Sequence, residues 1–225
     1  MRTLKLGTPY LLPIEGDIFS VQSWLARHAP PLSRITFGVT PALAEMVDAI
    51  HSLDGKFMEY NLGIWLHRCA RRYRLNPRCL LVRMQIEQGL LSLPDTEKLN
   101  PQFVALRFPP PSLGIADSVY MDKVGPLYVW GDRRLYAACG YGIPDTATKS
   151  TRDIHGYIGL PNQIAHCAKQ YRLDLDRWKP GMTHIIYGGD TVEPEDAETY
   201  VHIKYTPSPK VLVAAAAIYA RNFSS

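Results

Sequence analysis

Apolar positions recur at helical spacing in five stretches of the chain, separated by proline, glycine and polar clusters. The first follows Thr40-Pro41, a cap residue ahead of a helix-starting proline, and carries Leu43, Met46, Val47 and Ile50 until the Asp54-Gly55 turn. The second runs from about Asn61 to Tyr73. Leu62, Trp65, Leu66, Cys69 and Tyr73 make its inner stripe, and Arg68, Arg71, Arg72 and Arg74 lie mostly outside, as a solvated face. The third opens on Asn76 as N-cap with Pro77 at the first helical position, and Pro94 predicts its end near residues 91–93. Gly159-Leu160-Pro161-Asn162-Gln163 opens the fourth, with Ile164, Cys167, Ala168 and Tyr171 facing inward. The fifth, about Lys210 to Arg221, carries a run of alanines (Ala214 to Ala217) suited to close packing. The pattern predicts a mainly α (α+β) chain.

Between these stretches the pattern changes. Residues 1 to about 38 are rich in Pro, Gly and isolated apolar side chains. They predict short strands or an irregular arm, with one or two helical turns over Gln22 to His28 that Pro30-Pro31 stops. Residues 94 to about 131 are broken by Asn100-Pro101, Pro109-Pro110-Pro111 and Gly125-Pro126, and interleave Phe103, Phe108, Tyr120, Tyr128 and Trp130. This insertion reads as a packed loop; the alternative is an aromatic wall over a ligand groove. Tyr136 to Thr146, with Gly140-Tyr141-Gly142 and Pro144-Asp145, reads as a sharp bend. One domain follows over 41–225, preceded by an arm or docking extension over 1–40.

Composition narrows the function. The chain of 225 residues is 46% hydrophobic with a formal net charge of +4, which permits an acidic partner and demands none. No Lys/Arg block or nucleic-acid signature appears. Cys69, Cys79, Cys139 and Cys167 form no CxxC and no metal spacing, so buried free thiols are expected, with a Cys69–Cys79 disulfide as the alternative. No cofactor or metal is expected. The N-terminal residues have no apolar run of signal-peptide length, and no stretch approaches the roughly 20 apolar residues of a membrane span. An extracellular substrate then requires lysis, a secretion machine or delivery on a virion; otherwise the protein is expected in the cytoplasm.

The candidate chemistry sits in the third stretch. Wound at roughly 100° per residue, Cys79, Leu80, Val82, Met84, Ile86, Leu90 and Leu91 fall on one broad arc, with Gln85 and Gln88 opposite. Glu87 lies on the apolar arc, in register with Leu80, Met84 and Leu91. As a general acid, it gains from burial, which raises a carboxyl pKa and keeps a proton to give to a leaving oxygen. As one half of an i, i+4 ion pair with Arg83, it is ordinary helix chemistry and the pKa falls instead. Spacing alone favours the ion pair. Asp145 is a second carboxyl candidate in what is also a common turn, and His166 reads as a helix residue rather than a ligand.

Several motifs then converge. Leu75-Asn76-Pro77, Leu80-Leu81-Val82, Met84-Gln85 and Glu87-Gln88 resemble the catalytic-helix segment of lysozyme-like muramidases, the superfamily of soluble lytic transglycosylases and goose-type lysozymes. The resemblance is stronger to a bacterial branch reading NPKVLLVLLQKEQSL, AMGYGCPD, GFFNQ and then YTP. This chain has Ala138 to Asp145, Gly159 to Gln163 and Tyr205-Thr206-Pro207 in the same order, across about residues 60 to 210; the first 40 lie outside the match. It departs at Gly89 (serine in the branch), Ile143 (cysteine) and Ile203 (tyrosine), and in the length of its insertion.

The resemblance implies a lysozyme-like helical fold over 41–225. It implies Glu87 as a single acid/base residue cleaving the β-1,4 bond between N-acetylmuramic acid and N-acetylglucosamine in peptidoglycan strands. It implies that Gly140, Tyr141, Gly142, Asp145, Asn162 and Gln163 line the cleft, with Tyr205 near the acid. One catalytic carboxyl suits a lytic transglycosylase; a hydrolase on the same helix is the neighbouring alternative. A scaffold that binds walls or docks through its N-terminal arm onto a larger particle is the non-enzymatic alternative, and a chitin-directed glycosidase a third.

Overall fold

The computed structural model describes residues 2–6, 10–15, 19–48, 58–99, 104–106, 121–124, 127–130, 132–142 and 156–223. They are mostly helical, as the periodicity predicts. Nine α-helices occur among the described residues: α1 (Val21–His28), α2 (Pro30–Ser33), α3 (Pro41–Met46), α4 (Leu62–Arg72), α5 (Pro77–Gln88), α6 (Arg133–Tyr136), α7 (Leu160–Arg177), α8 (Ala197–Tyr205) and α9 (Pro209–Phe223).

The fold is built around α5. Asn76 starts it: its Oδ1 accepts from the Arg78 N–H at 3.1 Å, Pro77 takes the position that needs no donor, and the Asn76 N–H donates to the Leu11 carbonyl at 2.7 Å. The single inner arc expected for this helix is not what forms. Cys79 through Met84 are all buried, Arg83 included, because α4, α7 and α9 pack around the first two turns. A helix buried on every side needs no polar face there. It also ends earlier than Pro94 predicts. Gly89 takes the left-handed conformation (φ 65°) and donates its N–H to the Gln85 carbonyl, closing the helix at Gln88. A 3₁₀ turn, Leu90–Ser92, follows, and the Gln85 side chain holds it through Leu91 N at 2.6 Å and Ser92 Oγ at 2.7 Å.

The other helices follow their local signals. Asn61 caps α4 by accepting from Ile64 N at 2.8 Å, and Leu62, Trp65, Leu66 and Cys69 are buried as expected. Pro30 stops α1 but also opens α2, with Ala29 between the two. Three small sheets complete the architecture. β1 (Arg2–Leu4) pairs parallel with β8 (Thr191–Pro194), which pairs antiparallel with β7 (His184–Ile185). β2 (Thr36–Val39) pairs antiparallel with β3 (Met58–Asn61).

β4 (Val104–Leu106), β5 (Met121–Val124) and β6 (Leu127–Trp130) form an antiparallel sheet with β6 central. The insertion read as a loop therefore contains strands of three or four residues each, long enough to pair. Its aromatic side chains lie outside the described ones.

The described part of the N-terminal segment belongs to the same core. Leu4, Leu6, Tyr10 and Leu11 are buried in it. Two side chains near the start of α8 hold their backbone: Thr199 Oγ1 accepts from Leu6 N at 2.7 Å, and Glu198 Oε2 accepts from Tyr10 N and Leu11 N at 2.7 and 3.1 Å. The four cysteines are buried and free; the Cys69–Cys79 disulfide does not form.

Candidate active site

Glu87 stands in the last turn of α5, where the helix emerges from the core, and keeps 24% of its side chain exposed. Its Oε1 is 2.7 Å from Nη2 of Arg83, one turn earlier and only 1% exposed. The same Nη2 donates to Thr206 Oγ1 at 2.6 Å. The Tyr205 ring lies against the guanidinium, 3.8 Å from centroid to Cζ, and the Tyr205 hydroxyl donates to the Cys139 carbonyl at 2.9 Å. Arg83 is thereby fixed by a carboxylate, a hydroxyl and an aromatic face. Burial weighs against its charge, but Tyr171, Tyr205 and Glu87 more than offset that, and the guanidinium holds its proton more firmly than usual.

The ion pair read from i, i+4 spacing is therefore real, and it is also what orients Glu87. The other carboxylate oxygen faces Gly140. A Cβ built on Gly140 would stand 2.5 Å from Glu87 Oε2 and 2.9 Å from its Cδ, and the backbone there has φ 68°. Only glycine meets both demands. Gly142 has the same constraint: φ 66°, with its missing Cβ 2.5 Å from the Tyr157 ring. The Gly140-Tyr141-Gly142 turn is thus shaped to lie against Glu87 on one side and Tyr157 on the other.

Gln163 holds that turn in place. Its Oε1 accepts from Cys139 N at 3.3 Å and Tyr141 N at 3.0 Å, and its Nε2 donates to the carbonyls of Tyr141 and Tyr157 at 2.8 and 2.7 Å. It is fully buried, so the expectation that Gln163 lines a cleft is corrected: it shapes the turn from behind. Asn162 turns its amide to the Ile158 carbonyl at 2.9 Å, at the start of α7. His166 is half-buried and stacks on Tyr141 at 5.7 Å, with Tyr157 edge-on to both rings. Asp145 lies outside the described residues.

A groove of about 220 Å³ opens beside the turn, lined by Gly140, Tyr141, Gly142, Tyr205, Gln170, Asp174 and Lys204. Gly140 therefore joins the two parts of the site, touching Glu87 and lining the groove. The last three residues were not singled out from sequence. A signal existed: Gln163, Gln170 and Asp174, at spacings of seven and four, form one polar stripe on the otherwise apolar inner side of α7.

No family model, curated protein or solved structure matches this chain. Among the described residues, no group of three His, Cys, Asp or Glu side chains could hold a metal ion, and no helix is long and apolar enough to cross a membrane.

Proposed function

We propose that the protein cleaves the glycan strands of peptidoglycan as a lytic transglycosylase, with Glu87 as acid and then base at the N-acetylmuramic acid–N-acetylglucosamine bond. One observation carries the reading: a part-exposed carboxylate on the core helix, held by a buried arginine and set against a glycine that also borders a small groove. The motif order around Glu87, Gly140 to Gly142, Asn162-Gln163 and Tyr205 supports the same substrate.

The geometry suits the chemistry. With Oε1 bonded to Arg83, a proton on Oε2 can pass to the glycosidic oxygen without breaking that bond. The guanidinium stabilises the carboxylate left behind; Glu87 must take up a proton on Oε2 before the transfer. The muramoyl 6-hydroxyl then attacks the anomeric carbon and its proton returns to Glu87. The products are a 1,6-anhydro end and a free 4-hydroxyl, with no water consumed. Most glycoside hydrolases require a second carboxylate across the bond; this route does not.

The test is digestion of purified cell walls followed by mass spectrometry. Fragments one water lighter than reducing-end muropeptides are expected. Reducing ends alone would replace transglycosylation with hydrolysis on the same helix. The Arg83–Glu87 pair equally favours a second reading, a wall-binding or particle component in which the pair is structural. Sedimentation with walls but no cleared band in a zymogram selects that one.

A further inference from the structure

The arginines of α4, expected to form a solvated face, turn out to border a cavity. Arg68, Arg71 and Arg72, with His67, line one wall of a space of about 720 Å³. Val21, Val47 and Ile64 supply an apolar surface beside them. The cavity shares no residue with the groove beside Gly140. Its volume falls within the roughly 300–1,000 Å³ of ligand sites, so it takes a segment of a molecule rather than a single ion.

Contacts within the chain hold the walls. Gly63 lets α1 lie directly on α4: a Cβ there would stand 2.7 Å from the Gln22 Cα. Asp48, which also lines the cavity, arranges two of the arginines. Its Oδ2 is 3.1 Å from Arg72 Nε, and its carbonyl accepts from Arg68 Nη1 at 3.4 Å. The terminal nitrogens of Arg72 remain for a ligand, and the Arg71 and His67 side chains have no partner among the described residues. Three guanidinium groups stand against one carboxylate, so the lining carries a surplus of two positive charges with His67 neutral. A concave basic surface with apolar walls concentrates anions.

We infer that this cavity binds two consecutive phosphodiester groups of a linear polyol phosphate chain of the cell wall. The guanidinium forks suit the phosphates, and the apolar surface suits the carbon chain between them. The choice of a wall polymer rests on the proposed wall-cleaving role; the charge pattern stands without it. Other polyanions fit less well. Single-stranded nucleic acid binds through open aromatic faces, and Phe19, the one benzene ring in the lining, already carries the Arg78 guanidinium 4.0 Å from its centroid. None of the lining residues belongs to a strand, so an acidic peptide finds no edge for its backbone.

The test is calorimetric titration of the full-length protein with a poly(glycerol phosphate) oligomer at several salt concentrations. A thymidine oligonucleotide and an oligoglutamate of equal charge are the competing ligands, and Arg71→Gln and Arg68→Gln are compared with the wild type. The wild type is expected to bind the polyol phosphate in preference to both. Each substitution is expected to weaken that binding by about fivefold or more, and to flatten the dependence of log K on log salt by about one unit. Arg71 is exposed, so Arg71→Gln stays informative if Arg68→Gln fails to fold. No binding by the wild type overturns the inference, as does unchanged affinity and salt dependence in folded Arg71→Gln. Equal or tighter binding of the oligonucleotide or the oligoglutamate overturns it too. Polymer binding without wall digestion removes the glycan-cleaving reading and leaves this site standing; digestion without polymer binding does the reverse.

Discussion

Glu87 lies where an apolar helix arc and an i, i+4 ion pair meet. Helical spacing finds both the apolar arc and the Arg83 partner, and the structure joins them: the ion pair is the device that aims the carboxylate. Spacing could not reveal the third contact, Gly140, because 53 residues of chain separate it from Glu87 and only the fold brings them together. The contact gives a direct prediction. Gly140→Ala should displace the Glu87 carboxylate and lower wall-cleaving activity by at least tenfold. Its cost in stability should be only about 1–2 kcal/mol, the penalty for Cβ in the left-handed region. Activity and denaturant midpoints measured together check it. Full activity in the variant would show that the carboxylate's resting place does not matter.

Element boundaries were legible where the chemistry is local. Asn76 and Thr40-Pro41 cap their helices as their sequences predict, and Asn61, read as the first residue of its helix, is the cap of α4. The end of α5 was not, because a glycine able to adopt φ 65° competes with a proline five residues later, and the nearer stop wins. α7 carries the largest misreading. Gln163 looked like a ligand residue because it stands in a recognisable motif; its four bonds to the 139–141 turn and to Tyr157 make it a brace. Gln163→Leu keeps the size but strips partners from two N–H groups and two carbonyls. It should destabilise the protein by ~3 kcal/mol or more, since each buried group left unpaired costs about 1–3 kcal/mol. A thermal midpoint within a degree of the parent would contradict this account of the turn.

At the scale of the whole molecule, the mainly helical class was legible from periodicity, and the closure of the N-terminal segment was not. Leu6 meets Thr199 across a sequence separation of 193 residues, and nothing local encodes that. The same closure seals His202 between Tyr10 and Tyr171, close to Arg83. Burial first, and Arg83 second, lower its pKa from 6.5 to about 3. The folded protein therefore excludes a proton that the unfolded chain binds below pH 6.5. The contribution of His202 is fully present above that pH and is lost as pH drops towards about 3, by up to ~1.4 kcal/mol per unit. His202→Phe should flatten that part of the profile. Parallel pH profiles for the two proteins, from denaturant unfolding between pH 3 and 7, would show that another group carries the loss.

The central claim is that the Glu87 carboxylate performs the chemistry. It is tested most directly by comparing wall digestion by the wild type and by folded Glu87→Gln, matched in thermal midpoint, with the released fragments followed by mass. The account predicts anhydro fragments from the wild type and a rate lowered by at least about 10²-fold in the variant, the scale of a lost general acid. Equal release by the two proteins would contradict it.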